Sequence, residues 1–163
     1  MLLRSALTAD IPRIIALERM PGARQFVGQW TEERHRATLA GAEARYFVSE
    51  SGSGALQAYV ILRGLSEEND AIELKRIVVA EPMRGLGRRV LIDVIRMVFE
   101  DFHAHRLFLD VYEDNSHARH LYESLGFVYE GKMREAARRD ETYCDLWLMS
   151  MLESEYRAQN WNR

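Results

Sequence analysis

The stretch from Ala71 to Tyr112 restricts the fold more than any other. It reads AIELKRIVV, then AEPMRGLGRR, then VLIDVIRMVFEDF, then HAHRLFLDVY. A β-rich run enters a basic, glycine-containing turn, a helix follows, and a second β-rich run closes the unit. Within the helix Leu91, Val94, Ile95, Val98 and Phe102 recur at helical spacing. Two neighbouring strands joined through a helix run parallel. On either side the chain shows hairpins instead. RYFVSE and ALQAYVILRGL flank SGSG, and FVYEGKMREAA and TYCDLWLMSML flank RRDE. Hairpins force antiparallel pairs, so the sheet must be mixed, with a parallel pair in the middle and helices covering it.

The remaining segments fit that frame. LLRSAL reads as a short first strand. TADIPRIIALERM has cap residues, an early Pro12 and an apolar face at Ile11, Ile14, Ile15 and Leu17. TEERHRATLAG reads as a second short helix, capped by Thr31 and stopped at Gly41. Between them PGARQFVGQW reads as loop. NSHARHLYESLG is a capped helix ended by Gly126. The expected order is β-α-α-β-β-β-α-β-α-β-β.

With 163 residues and no linker, repeat or low-complexity tract, a single domain over 1–163 is expected. A hydrophobic fraction of 47% supplies a core, and a net charge of −3 gives no reason to expect a nucleic-acid or membrane partner. One cysteine, Cys144, forms no internal disulfide, and no long apolar segment or signal-peptide pattern occurs. A cytoplasmic location is expected. The histidines, among them the pair His117 and His120, lack completing ligands at recognisable spacing, so no metal site is expected.

The turn RGLGRR is ambiguous by itself. A strand, a glycine turn and a helix gather free backbone N–H groups at the positive end of a helix, which suits pyrophosphate. The same residues also make an ordinary basic turn. A dinucleotide site is a further alternative, but Val90 stands where its third glycine belongs, and the loop follows the fourth strand.

A second motif bears on that choice. In NSHARHLYESLGFVYEG, Asn115, Ala118, Leu121, Tyr122, Gly126, Phe127 and Gly131 fit the spacing N-x-x-A-x-x-L-Y-x-x-x-G-F-x-x-x-G. The chain thereby resembles the GCN5-related N-acetyltransferase (GNAT) family from about Leu3 to about Leu152, loosely in its first third. Arg84 and Gly87 resemble the family's R-x-x-G-x-G/A loop. Arg89 departs from it where Gly or Ala is usual. The closing segment looks most like the branch of ribosomal-protein N-terminal acetyltransferases and several small-molecule acetyltransferases.

The resemblance implies a fold, a cosubstrate and a site. The fold is an α/β mixed, mostly antiparallel sheet of about seven strands with about four helices. The cosubstrate is acetyl-CoA. Its pyrophosphate is expected on Arg84, Gly85, Leu86, Gly87, Arg88 and Arg89, and its pantetheine on Ile77, Val78, Val79 and Asn115, with Tyr122 near the thioester sulfur. Tyr122 is the expected general acid, since a thiol and a phenol ordinarily ionise near about 8.5 and about 10. Glu73 is the candidate general base, directly or through water. A backbone N–H near Ile77–Val79 could polarise the thioester carbonyl.

The acceptor is expected to be an amine on a small molecule or a peptide N-terminus, bordered by MPGARQFVGQWTEE and RRDETYCD. Trp30, Glu33 and Tyr143 are candidate contacts. The expected activity is direct acetyl transfer in a ternary complex. The alternatives are a non-catalytic acetyl-CoA-binding module and an NAD(P)-dependent oxidoreductase. A homodimer is possible.

Overall fold

A computed structural model describes residues 3–81 and 84–159. Seven strands form one sheet: β1 Arg4–Ser5, β2 Ala44–Glu50, β3 Leu56–Arg63, β4 Ala71–Val79, β5 Arg106–Tyr112, β6 Val128–Arg139 and β7 Thr142–Leu152. Their spatial order is β1-β2-β3-β4-β5-β7-β6, and only β4 and β5 pair in parallel. The helices are α1 Ile11–Glu18, α2 Pro21–Arg24, α3 Glu32–Ala40, α4 Leu86–Arg96, α5 Ser116–Ser124 and α6 Glu153–Ala158. The strand–helix–strand unit and both hairpins therefore stand where the sequence puts them.

The helices lie on both faces. On one face Val90, Val94 and Ile95 of α4, Tyr122 of α5 and Tyr156 of α6 pack on Val60, Leu74, Leu107, Leu109 and Met149. On the other, Ile14 and Leu17 of α1 pack on Tyr46, Tyr59, Ile61 and Val78. Strand alternation decides this. In β5, Leu107, Leu109 and Val111 are buried, while Arg106, Phe108, Asp110 and Tyr112 turn to the opposite face.

Three details differ from the sequence expectation. The loop 21–30 contains the single helical turn α2, and α6 follows the last strand. Elements of four to six residues are too short to show a period. The central helix starts at Leu86 rather than Val90, so Leu86, Gly87, Arg88 and Arg89 form its first turn. No described helix is long and apolar enough to cross a membrane.

Candidate active site

The sheet splits at its parallel pair. β4 and β5 are in register only at Ala71–Arg106, Ile72–Leu107 and Glu73–Phe108. Beyond those pairs β4 runs on to Val79 and β5 to Tyr112 without pairing. The register of β4 on β3 shifts at the same level: Leu74 faces Leu62, Arg76 faces Ile61, and Lys75 is the extra residue. Such a bulge bends its strand and sharpens the twist, which directs β4 away from β5. The result is a fork whose β4 arm exposes backbone groups to the gap.

A buried ionic cluster pins that arm. The Arg76 guanidinium donates to Glu18 of α1, and the two side chains are 7% and 1% exposed. Tyr59 also donates to Glu18, whose other oxygen lies 3.3 Å from His35 Nε2. The Trp30 ring covers Arg76 at 3.9 Å and Arg34 at 4.0 Å. Burial alone would raise the Glu18 carboxyl; the hydrogen bonds from His35 and Tyr59 and the Arg76 charge outweigh it and hold it low. Trp30 thus serves this cluster, which fixes where Ile77, Val78 and Val79 lie. Val78 is buried toward α1, and Ile77 and Val79 pack toward α4.

The fork leads to the start of α4. Gly85 caps that helix at φ 76°, the left-handed region that favours glycine. The Arg89 N–H is already taken by Gly85 O at 3.2 Å, so Leu86, Gly87 and Arg88 carry the free first-turn donors. Gly87 has no positive φ, and a Cβ there would meet only Leu121 Cδ2 at 3.8 Å and Val79 Cγ1 at 3.9 Å, which is ordinary contact. Neither backbone nor packing requires glycine at 87. Its bare backbone leaves room for a ligand group, as a pyrophosphate on these N–H groups would need. Around this cradle Arg84 pairs with Glu81 at 2.7 Å, Arg88 donates to Ser124 Oγ at 2.7 Å, and Arg89 is exposed. All three guanidiniums lie at the surface, none wedged into the backbone cradle. Pro82 and Met83 lie outside the described residues.

The tyrosine helix supplies the other wall. Asn115 caps α5, its Oδ1 accepting from Ala118 N at 3.2 Å, which leaves its amide NH₂ unengaged by the cap. At the far end Gly126, at φ 94°, closes the helix by letting Phe127 N–H reach Tyr122 O at 3.1 Å. The Phe127 ring then packs edge-on against Tyr122 at 5.7 Å. Tyr122 is 7% exposed, and its hydroxyl has no hydrogen-bond partner among the described residues, yet it is not sealed from solvent. Burial, with the Asp110 charge adding to it, pushes the phenol well above its ordinary 10. The close match between an ordinary thiol and an ordinary phenol therefore does not hold here. Tyr122 is a weaker acid that stays fully protonated at neutral pH.

Glu73 lies at the closed end of the fork, in the last β4–β5 pair. Lys75 Nζ is 3.1 Å from Glu73 Oε1 and 3.7 Å from Asp110 Oδ2, and Arg63 is 3.9 Å from Glu73 Oε2. Lys75 and Asp110 belong to no motif that marks them for this site. The alternation in RLFLDVY does set Asp110 apart from its apolar neighbours, so that signal was present. On this face a cleft of about 390 Å³ runs between the loop after α1 and the β6–β7 hairpin, lined by Gln25, Gly28, Tyr112 and Arg139 among others. These are the two segments expected to border the acceptor. Glu33 and Tyr143 are both exposed, and neither lines the cleft. Arg139 within it is held by Asp114 at 2.6 Å.

Comparison with known proteins agrees with this geometry. The model of the acetyltransferase (GNAT) family matches residues 15–127. The spermidine N(1)-acetyltransferase of Vibrio cholerae is 29% identical over 126 residues, 77% of this chain and 73% of that protein. The spermine/spermidine N(1)-acetyltransferase of Bacillus subtilis is 34% identical over 50 residues, 31% of this chain and 33% of that one. Among solved structures, the Vibrio cholerae spermidine N-acetyltransferase in complex with CoA and spermine superposes with a TM-score of 0.82 at 26% identity, covering 95% of this chain and 96% of that one.

Proposed function

The chain belongs to the GNAT acetyltransferase family and is an acetyl-CoA-using N-acetyltransferase, and from that premise we propose that it acetylates a primary amine of a polyamine-like small molecule. The observation that carries the reading is the fork: a helix N-terminus at its mouth, an unbonded tyrosine hydroxyl on one wall, and two carboxylates at its throat. Family membership displaces the NAD(P)-dependent alternative. The physical reason is that the sheet has one parallel pair, opened into a fork, instead of a doubly wound parallel sheet. It likewise displaces the non-catalytic alternative.

The relatives named above act on spermidine and spermine, so a polyamine is a better-supported acceptor than a ribosomal-protein N-terminus. Asp110, Glu73 and Asp114 place carboxylates on the acceptor face, which suits a cationic amine. The residues 1–163 serve this activity as one domain.

Acetyl-CoA supplies a thioester whose acyl carbon the amine attacks. Leu86, Gly87 and Arg88 offer N–H groups to its pyrophosphate, and the β4 arm at Ile77–Val79 together with Asn115 lines the path of its pantetheine. The amine arrives as an ammonium, and Glu73 takes its proton directly or through a water. A β4 backbone N–H steadies the charge on the carbonyl oxygen. Tyr122 gives its hydroxyl proton to the departing thiolate and takes back the second proton that the acetylated nitrogen sheds, directly or through water, and Glu73 releases its proton to solvent after product leaves.

The substrate class is tested by offering acetyl-CoA with an equimolar mixture of spermidine, an aminoglycoside and a peptide with a free N-terminus, then identifying products by mass spectrometry. Monoacetylated spermidine is expected as the dominant product. Preferential acetylation of the peptide would move the chain to the ribosomal-protein branch.

A further inference from the structure

Lys75 is the extra residue of the bulge at which β4 leaves β5. Glu73 and Phe108 are the last paired residues, and Lys75 and Asp110 each stand two positions further along the separating arms. Their side chains meet across the opening at 3.7 Å, and Lys75 also contacts Glu73 at 3.1 Å. A primary ammonium therefore already sits between two carboxylates at the throat. The side chains of Lys75, Glu73 and Asp110 are 27%, 19% and 33% exposed, so the group is shielded but not closed off. The Tyr122 side chain lies within range of the Asp110 charge, is more than nine-tenths buried, and offers a hydroxyl that no described residue engages.

We propose that Lys75 is a built-in occupant of the acceptor's cation subsite: its ammonium holds the place between Glu73 and Asp110 that the reacting ammonium of the amine substrate takes on binding. The inference rests on the amine-acetylating reading above. An ammonium on a flexible four-carbon stem can swing toward solvent when displaced. A substrate with one positive charge must replace Lys75 and gains little more than Lys75 loses. A substrate carrying further ammonium groups also repels Lys75 outward, so it displaces the side chain more readily. Lys75 thus sets selectivity for multiply charged amines, and it keeps the two carboxylates neutralised while the site awaits substrate.

The test replaces Lys75 with Met, which keeps the apolar stem and removes the charge. Amine KM is measured for spermidine and for butylamine, and spermidine Kd by titration calorimetry. Both amine KM values and the Kd are expected to fall by about fivefold, the scale of two partly exposed ion pairs. The gain should be larger for butylamine, which lacks the extra charge that moves Lys75 aside. The acetyl-CoA KM is expected to stay unchanged, and Asp110→Asn is expected to raise the amine KM. Lys75→Gln repeats the measurement if the Met variant does not fold. Unchanged or raised amine KM and Kd without the Lys75 charge would overturn the proposal. A wild-type enzyme that acetylates no amine overturns the amine reading, and the Lys75 proposal with it; a wild-type enzyme that works alongside an insensitive Lys75 variant removes only the latter.

Discussion

In the proposed mechanism two side chains face opposite demands. As the proposed acid, Tyr122 must hold its proton until a thiolate is present, and burial favours its protonated form. Raising a phenol makes it a weaker donor, so the acid role depends on the leaving sulfur forming close to the hydroxyl, not on matched acidities. As the proposed base, Glu73 must accept a proton from an ammonium while Lys75 stands 3.1 Å away. On the proposal for Lys75, its displacement by the substrate would free that carboxylate when it is needed. Glu73→Gln is therefore expected to lower kcat/KM by about 10²-fold at neutral pH. The loss is read by following thiol release from acetyl-CoA. The candidate residues themselves were legible in part. Tyr122 stood out because its helix carries a spaced motif. Asp110 and Lys75 did not, because a charged residue on a strand looks the same whether it faces solvent or a partner across a gap.

The fork itself is a property of elements. Nothing in AIELKRIVV announces a bulge, since Lys75 and Arg76 are two adjacent polar residues that also fit an exposed strand segment. The bulge is fixed by what Arg76 finds on the other face: Glu18, Tyr59, His35 and Trp30, from four separate segments. Contacts that distant in sequence leave no local periodicity, and nothing in TEERHRATLAG marks His35 as fully buried. The α4 start was misread by four residues for a different reason: glycine and arginines in a first turn hide a helix whose apolar stripe begins later. The succession of elements along the chain, the hairpins and the Gly126 stop were legible because each follows from a short-range rule. Removing the Glu18 charge leaves a buried guanidinium without its counter-ion. Glu18→Gln is expected to cost about 3 kcal/mol of stability in urea unfolding. Because the β4 arm loses its anchor, acetyl-CoA KM should rise while amine KM changes less.

For the molecule as a whole, helices on both faces leave the fork as a passage between two sides. We assign acetyl-CoA to the α4–α5 side and the amine to the side of the cleft beside α2 and the β6–β7 hairpin. Carboxylates held by arginines and phenols raised by burial set the pH range of the fold. The hydrogen bond from Arg4 holds Asp10 down at about 2, and that from Arg106 holds Glu130 at about 2. Their contribution is present above the ordinary carboxylate range and is lost as pH falls toward 2. Burial pushes Tyr46 up to about 12 and raises Tyr59 and Tyr122 as well. Phenols in the unfolded chain ionise near about 10 while these keep their protons, so stability falls as pH rises past about 10. Urea midpoints measured across pH are expected to show a plateau between about 5 and 9.5 with a decline on each side. Acetyl transfer in the fork is proposed to use the Tyr122 hydroxyl. It is tested most directly by comparing Tyr122→Phe with the wild type in steady-state thiol release from acetyl-CoA and spermidine, with CoA affinity measured alongside by calorimetry. The account predicts unchanged CoA affinity and a kcat lower by about 10²-fold or more. A Tyr122→Phe enzyme that binds CoA and turns over at the wild-type rate would contradict it.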